Sequence, residues 1–166
     1  VAESGAPRAA RRFLLFRPVA SPYTLTLDLF AEAGGIYTCD LFHDDQPTPI
    51  HLRSGKKFVS IPYSLEMNDT IAYVVNKIEP RRYGQMLRDN FDRLYQEGEQ
   101  SGTVMCIPTH NYQVSCPHRL KAFEEALEYI TGHSDVWVTT GREIARHFID
   151  NHYQQSVDDI AARGAR

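Results

Sequence analysis

Two hydrophobic periods alternate along this chain, and the alternation confines it to folds in which helices cover a sheet. Leu25, Leu29 and Ala33 recur at helical spacing and stop at Gly34-Gly35, a good C-terminal cap. Short strand-like runs follow at 36–39 and 57–61, separated by a proline- and aspartate-rich loop at 44–49. Tyr83, Leu87, Phe91, Leu94 and Tyr95 form a second helical stripe that ends near Gly98. A third strand is predicted over 103–107, where Val104, Met105 and Ile107 supply the apolar content. Pro117, suited to a first helical turn, opens a helix carried by Leu120, Phe123, Leu127 and Ile130. A fourth strand is predicted at 136–138, with Trp137 packed into the core between two valines. Thr140 and Glu143 have the spacing of a capping box, and Ile144, Phe148 and Ile149 carry the last helix. Residues 156–166 are polar and read as a frayed tail. This order predicts an α/β fold with mostly parallel strands alternating with helices and right-handed crossovers.

Composition narrows the function classes. The 166 residues are 42% hydrophobic and 11% aromatic, enough for one globular domain with a real core. A net charge of −3 argues against a nucleic-acid binder, which would carry a basic face. No apolar run approaches a membrane span. Cys39, Cys106 and Cys116 are odd in number and widely spaced, a poor disulfide framework and a poor zinc pattern. They suggest a reducing compartment, and hence a cytoplasmic location. Arg8, Arg11 and Arg12 lie among alanines ahead of the first periodic segment, and the chain starts at Val1 without methionine. The opening segment reads either as a transit peptide or as the cut start of a longer chain.

Chemistry concentrates after the third predicted strand, at Cys106-Ile107-Pro108-Thr109-His110 and then Ser115-Cys116-Pro117-His118-Arg119. A histidine between a strand's C-terminal end and the next helix stands where α/β folds keep their reacting groups. Histidine suits proton delivery because its ordinary pKa lies near neutrality. The competing reading is a loop histidine bonded to backbone. His43-Asp44-Asp45 carries metal-type donors, but adjacent aspartates in an extended loop point to opposite sides, and one usually caps its own turn. Glu66, Asn68 and Asp69 could meet a polar substrate, or Asn68-Asp69 could cap the next turn. His118-Arg119 and Arg142 read as surface charge.

Several of these segments together resemble the polysaccharide deacetylases, the NodB-type carbohydrate esterases, and within them the branch that includes allantoinase-like enzymes and peptidoglycan or chitin deacetylases. Phe16-Arg17-Pro18, with the stretch from Thr26 to Gly34, resembles the segment after that family's central arginine motif. Tyr37 to Asp40 and Asp44-Asp45-Gln46-Pro47 resemble its next strand and acidic loop. Ile61-Pro62-Tyr63-Ser64-Leu65-Glu66-Met67-Asn68-Asp69 is similar to a segment of that branch. His110, Pro117-His118-Arg119 and Val136-Trp137-Val138-Thr139-Thr140-Gly141-Arg142-Glu143 resemble its closing elements.

The resemblance implies the C-terminal portion of a distorted (β/α) barrel over 16–153, between an irregular segment at 1–15 and a polar tail at 154–166. It implies hydrolysis of a non-peptide carbon–nitrogen bond, in an N-acetyl sugar or a cyclic amide or ureide. His110 would be the acid, Asp44 and Asp45 an acidic lip that orients substrate, and Arg17 the partner of a site carboxylate. Glu66, Asn68 and Asp69 would line the substrate site. Many members hold a divalent metal such as zinc through one aspartate and two histidines, but those ligands are not found here. The seven histidines include no pair three or four apart. Asn111 stands where the family pattern has proline, and Ser115-Cys116 where it has a glycine-containing turn. The expectation is therefore a chain lacking the N-terminal half of a catalytic domain, with a carbohydrate or small molecule as substrate and a second copy as partner. Open strand edges demand such cover. The alternative is a catalytically inactive fragment serving as a carbohydrate-binding or oligomerisation scaffold. A flavodoxin-like domain is disfavoured, because no glycine-rich phosphate loop follows any strand.

Overall fold

The computed structural model describes residues 25–164, so the expectations for 1–15 and for Arg17 lie outside the described residues. The fold is mixed α/β. Helix α1 (Thr26–Glu32) leads into strand β1 (Tyr37–Thr38), followed by β2 (Thr48–Ile50) and β3 (Phe58–Ser60). A π-helical turn (Ile71–Val75) precedes the long helix α2 (Pro80–Glu97). A one-turn helix α3 (Asn111–Val114), then α4 (Pro117–Thr131), α5 (Gly141–Asn151) and α6 (Tyr153–Gly164), complete the order.

Strand β3 is the centre of the sheet, whose order is β1-β3-β2. It pairs in parallel with β1, Tyr37 opposite Val59, and antiparallel with β2, Thr48 opposite Ser60. The described sheet is thus mixed rather than mostly parallel. All three residues of β3 are buried, because alternate side chains are covered from opposite faces. Phe58 packs with Ala31 of α1 and Leu52, and its ring meets Phe30 edge-on. Val59 packs with Ala145 and Phe148 of α5.

The second layer is the pair α2 and α4. Pro80 at the first turn fixes the start of α2, and Tyr83, Leu87, Phe91 and Leu94 make one buried stripe along it. Tyr83 and Leu87 share a core with Ala126 of α4, Met67, Ala72 and Tyr73. The two helices approach closely at Gly84, where a Cβ would stand 2.7 Å from the Ala122 carbonyl oxygen.

Several sequence expectations need correction. Residues 103–107 are extended but join no ladder among the described residues. They run as a seam between two cores: Met105 and Ile107 face the helical one, and Val104 the one under β3. An apolar run records that alternation without saying whether a neighbouring strand exists. Residues 136–138 likewise form no strand, and Trp137 and Val138 are 59% and 73% exposed instead of buried. The Trp137 indole meets only one described ring, that of His147, at 5.7 Å. Leu25 and Leu29 are exposed, because α1 turns Ala31, with Leu27 and Phe30, toward Phe58. The frayed tail is helical as α6, although none of its residues is buried. The loop at 44–49 gives way to β2 at Thr48. The capping box forms: Thr140 accepts from the Glu143 amide, and Glu143 accepts from the Thr140 amide. Among the described residues, no helix is long and apolar enough to cross a membrane.

Candidate active site

The site is built where the segment ahead of the π-helical turn meets the end of the extended segment. Asn68 starts it. Its Oδ1 accepts from the amides of Thr70 and Ile71 at 2.9 and 3.3 Å, and its Nδ2 donates to the Tyr63 hydroxyl at 2.9 Å. Asn68 is therefore a buried turn-capping residue. The cap fixes Asp69, whose own amide donates to the Pro108 carbonyl at 3.1 Å.

Asp69 is fully buried. One carboxylate oxygen accepts from the His110 backbone amide at 2.7 Å, and the other meets His110 Nδ1 at 2.6 Å. The Thr70 hydroxyl lies 3.1 Å from the same ring nitrogen. A carboxylate accepts, so Nδ1 carries the proton and donates. Nε2 has no hydrogen-bond partner among the described residues, and the His110 side chain is 38% exposed. Asp69 thus lies on the buried side of the histidine, away from solvent.

The other expected residues that are described make no hydrogen bond to this pair. Asp44 caps its own turn, accepting from the Gln46 amide at 3.1 Å. Asp45 is anchored through its carbonyl, which accepts from Val104 at 2.8 Å, and it lines a small cavity of about 30 Å³ with Tyr63 and Cys106. Glu66 is exposed and accepts from the Ser64 hydroxyl at 3.3 Å. His43 bonds to Thr48 at 2.7 Å. Arg119 is held rather than solvated: its guanidinium donates to the Gln113 carbonyl and side chain and lies 4.4 Å above the Tyr73 ring. Burial pushes the Cys39 thiol up to about 12 and also raises Cys106, so neither is an activated nucleophile.

Holding a divalent metal takes at least three converging ligands of suitable type. Among the described residues no such group of His, Cys, Asp or Glu side chains exists. These residues do not fit a metal centre. Sequence reading missed the Thr70 contact and the Asp69–His110 pairing, because 41 positions separate the partners. The one signal was Asn68-Asp69-Thr70, a cap that could equally have been local.

No family model matches the chain. It is 26% identical over 157 residues to the peptidoglycan deacetylase of Helicobacter pylori (strain ATCC 700392 / 26695), an alignment covering 75% of this chain and 53% of that protein. The crystal structure of Puue allantoinase superposes with a TM-score of 0.73 and 32% identity, over 80% of this chain and 44% of that one. A probable polysaccharide deacetylase from Pseudomonas aeruginosa PAO1 gives a TM-score of 0.71 and 32% identity, over 79% of this chain and 44% of that one. The chain spans about half the length of the curated relative it matches, and less than half of each solved structure. In sequence it is similar to a peptidoglycan deacetylase, and in fold to a probable polysaccharide deacetylase and an allantoinase.

Proposed function

We propose that this chain is the acid-bearing part of a hydrolase for non-peptide carbon–nitrogen bonds, with an N-acetyl sugar or a cyclic amide or ureide as substrate. The observation that carries the reading is the Asp69–His110 pair, with Nδ1 clamped and Nε2 turned to no protein partner among the described residues. Amide hydrolysis stalls at expulsion of nitrogen, a poor leaving group unless it is protonated. In the reaction, water adds to the carbonyl carbon, the C–N bond breaks as the nitrogen takes a proton from Nε2 of the imidazolium form of His110, and the proton released by the added water restores that form. Asp69 keeps the imidazole in one tautomer and orientation and offsets the positive charge of its protonated form. Likeness to a deacetylase and an allantoinase favours the reaction class and the barrel architecture, with the described sheet as one part of it.

A second reading, a non-catalytic scaffold that binds carbohydrate or a second copy, is favoured by the exposure of Trp137 and Val138 on an extended segment. Hydrolysis of allantoin, a cyclic imide and N-acetylglucosamine oligomers by the full chain separates the two. Turnover lost in His110→Ala supports the hydrolase. Absence of turnover with self-association supports the scaffold.

A further inference from the structure

Tyr112 is 66% exposed, and nothing in the fold accounts for its aromatic ring. Helix α3 is held by other groups. Gln113 and Val114 donate their amides to the His110 carbonyl, Val114 is buried, and Arg119 clasps Gln113. Only backbone atoms of Tyr112 join this network: its amide donates to Asn111 Oδ1, and its carbonyl accepts from the Cys116 thiol. Its hydroxyl has no partner among the described residues. The one ring it meets there is His110, with centroids 5.5 Å apart and planes inclined at 56°. The two rings therefore form an open corner on the solvent side of the Asp69–His110 pair.

We infer that Tyr112 is a specificity-determining residue, a platform for a ring in the substrate attached to, or containing, the scissile nitrogen. This deepens the hydrolase reading and rests on it. A nitrogen that takes a proton from Nε2 sits at hydrogen-bond distance, about 3 Å, from the imidazole. With the His110 and Tyr112 centroids 5.5 Å apart, a ring joined to that nitrogen on the Tyr112 side can reach the roughly 4.5–7 Å centroid range of aromatic stacking. A pyranose carrying an N-acetyl group presents an apolar face there, and a cyclic ureide presents a planar one. An acyclic amide presents neither, so the corner selects ring-bearing amides over open-chain ones.

The test uses the full chain, with an N-acetylglucosamine oligomer and allantoin as ring probes and N-methylacetamide as the open-chain probe. Aromatic-carbon NMR titrations read binding at the Tyr112 and His110 rings, and hydrolysis is followed in parallel. For at least one ring probe, Tyr112→Ala is expected to weaken binding and raise KM by about two- to tenfold, with kcat little changed. Tyr112→Phe restores the wild-type value, and the open-chain probe is unaffected. Equal loss for ring and open-chain probes, or no loss for either ring probe, overturns the inference. So does the absence of any ring-probe effect on the Tyr112 resonances of the wild-type chain. If His110→Ala abolishes hydrolysis while Tyr112→Ala leaves ring-probe KM unchanged, the hydrolase stands and the platform falls. If ring probes bind through Tyr112 without turnover, the hydrolase reading falls and takes with it a platform beside a scissile nitrogen, leaving Tyr112 as a ring-binding contact only.

Discussion

Asp69 grips His110 twice, with one carboxylate oxygen on the backbone amide at 2.7 Å and the other on Nδ1 at 2.6 Å. The double contact fixes the position of the residue and the direction of its ring together. A single bond to Nδ1 would leave the loop free to carry the imidazole away. The clamp is fully buried and its load is partly exposed, the arrangement a proton donor needs.

Asp69→Asn replaces one accepting oxygen with an NH2 group that faces an N–H. The variant is expected to lose about 1.5–3 kcal/mol in urea denaturation, the usual worth of a hydrogen bond to a charged group. Its kcat on any amide the wild type hydrolyses should fall by about 10²-fold or more, since an unclamped imidazole adopts the wrong tautomer. Unaltered kcat with lowered stability would make Asp69 purely structural.

Gly84→Ala decides whether the α2–α4 contact is tight. Helix propensity alone favours alanine by about 1 kcal/mol. The new Cβ would meet the Ala122 carbonyl oxygen at 2.7 Å, backbone that cannot swing aside. Overpacking of this kind costs about 1–3 kcal/mol, so the substitution should lower the urea midpoint. A raised midpoint would show that the helices part easily.

Glu143 makes the start of α5 sensitive to acid. The Thr139 hydroxyl, then the Thr140 amide and hydroxyl, donate to its carboxylate and hold it below the usual carboxylate range. A group whose folded value is depressed stabilises the fold fully above its ordinary value, and that contribution is lost as pH falls through the depressed one. The protection of the Thr140 amide, its exchange rate relative to the intrinsic rate at the same pH, should therefore fall as pH drops through that acid window in the wild type, and Glu143→Gln should flatten the response.

The thiols offer a check on packing. Burial raises Cys39 to about 12 and raises Cys106 as well, so both should react slowly with a disulfide reagent near neutral pH. Mass spectrometry of the labelled chain at short times reads this directly. Rapid labelling of Cys39 would mean that the region of β1 opens readily.

Much of the helical framework was legible in the sequence. Tyr83, Leu87, Phe91 and Leu94 gave α2 by period alone, Pro117 the start of α4, and Thr140 with Glu143 the cap of α5. The strands were less legible. Residues 103–107 and 36–39 carry the same kind of apolar run, yet only the second contributes a paired strand, because pairing depends on a neighbour distant in the chain. Trp137 failed for the same reason: its surroundings, not its own hydrophobicity, decide its burial. His110 could be singled out from its position after an extended segment. Its partner could not, since Asp69 among Asn68 and Thr70 looks like one more turn-capping aspartate until the π-helical turn brings it beneath the imidazole.

The most direct test is a ¹⁵N NMR titration of the His110 ring nitrogens in the full chain. The account predicts that Nδ1 stays protonated in both charge states, held by Asp69, and that Nε2 is the nitrogen that gains and loses the proton. A neutral His110 carrying its proton on Nε2 would contradict it, because that ring would point a lone pair at the Asp69 carboxylate and could not be the clamped acid described here.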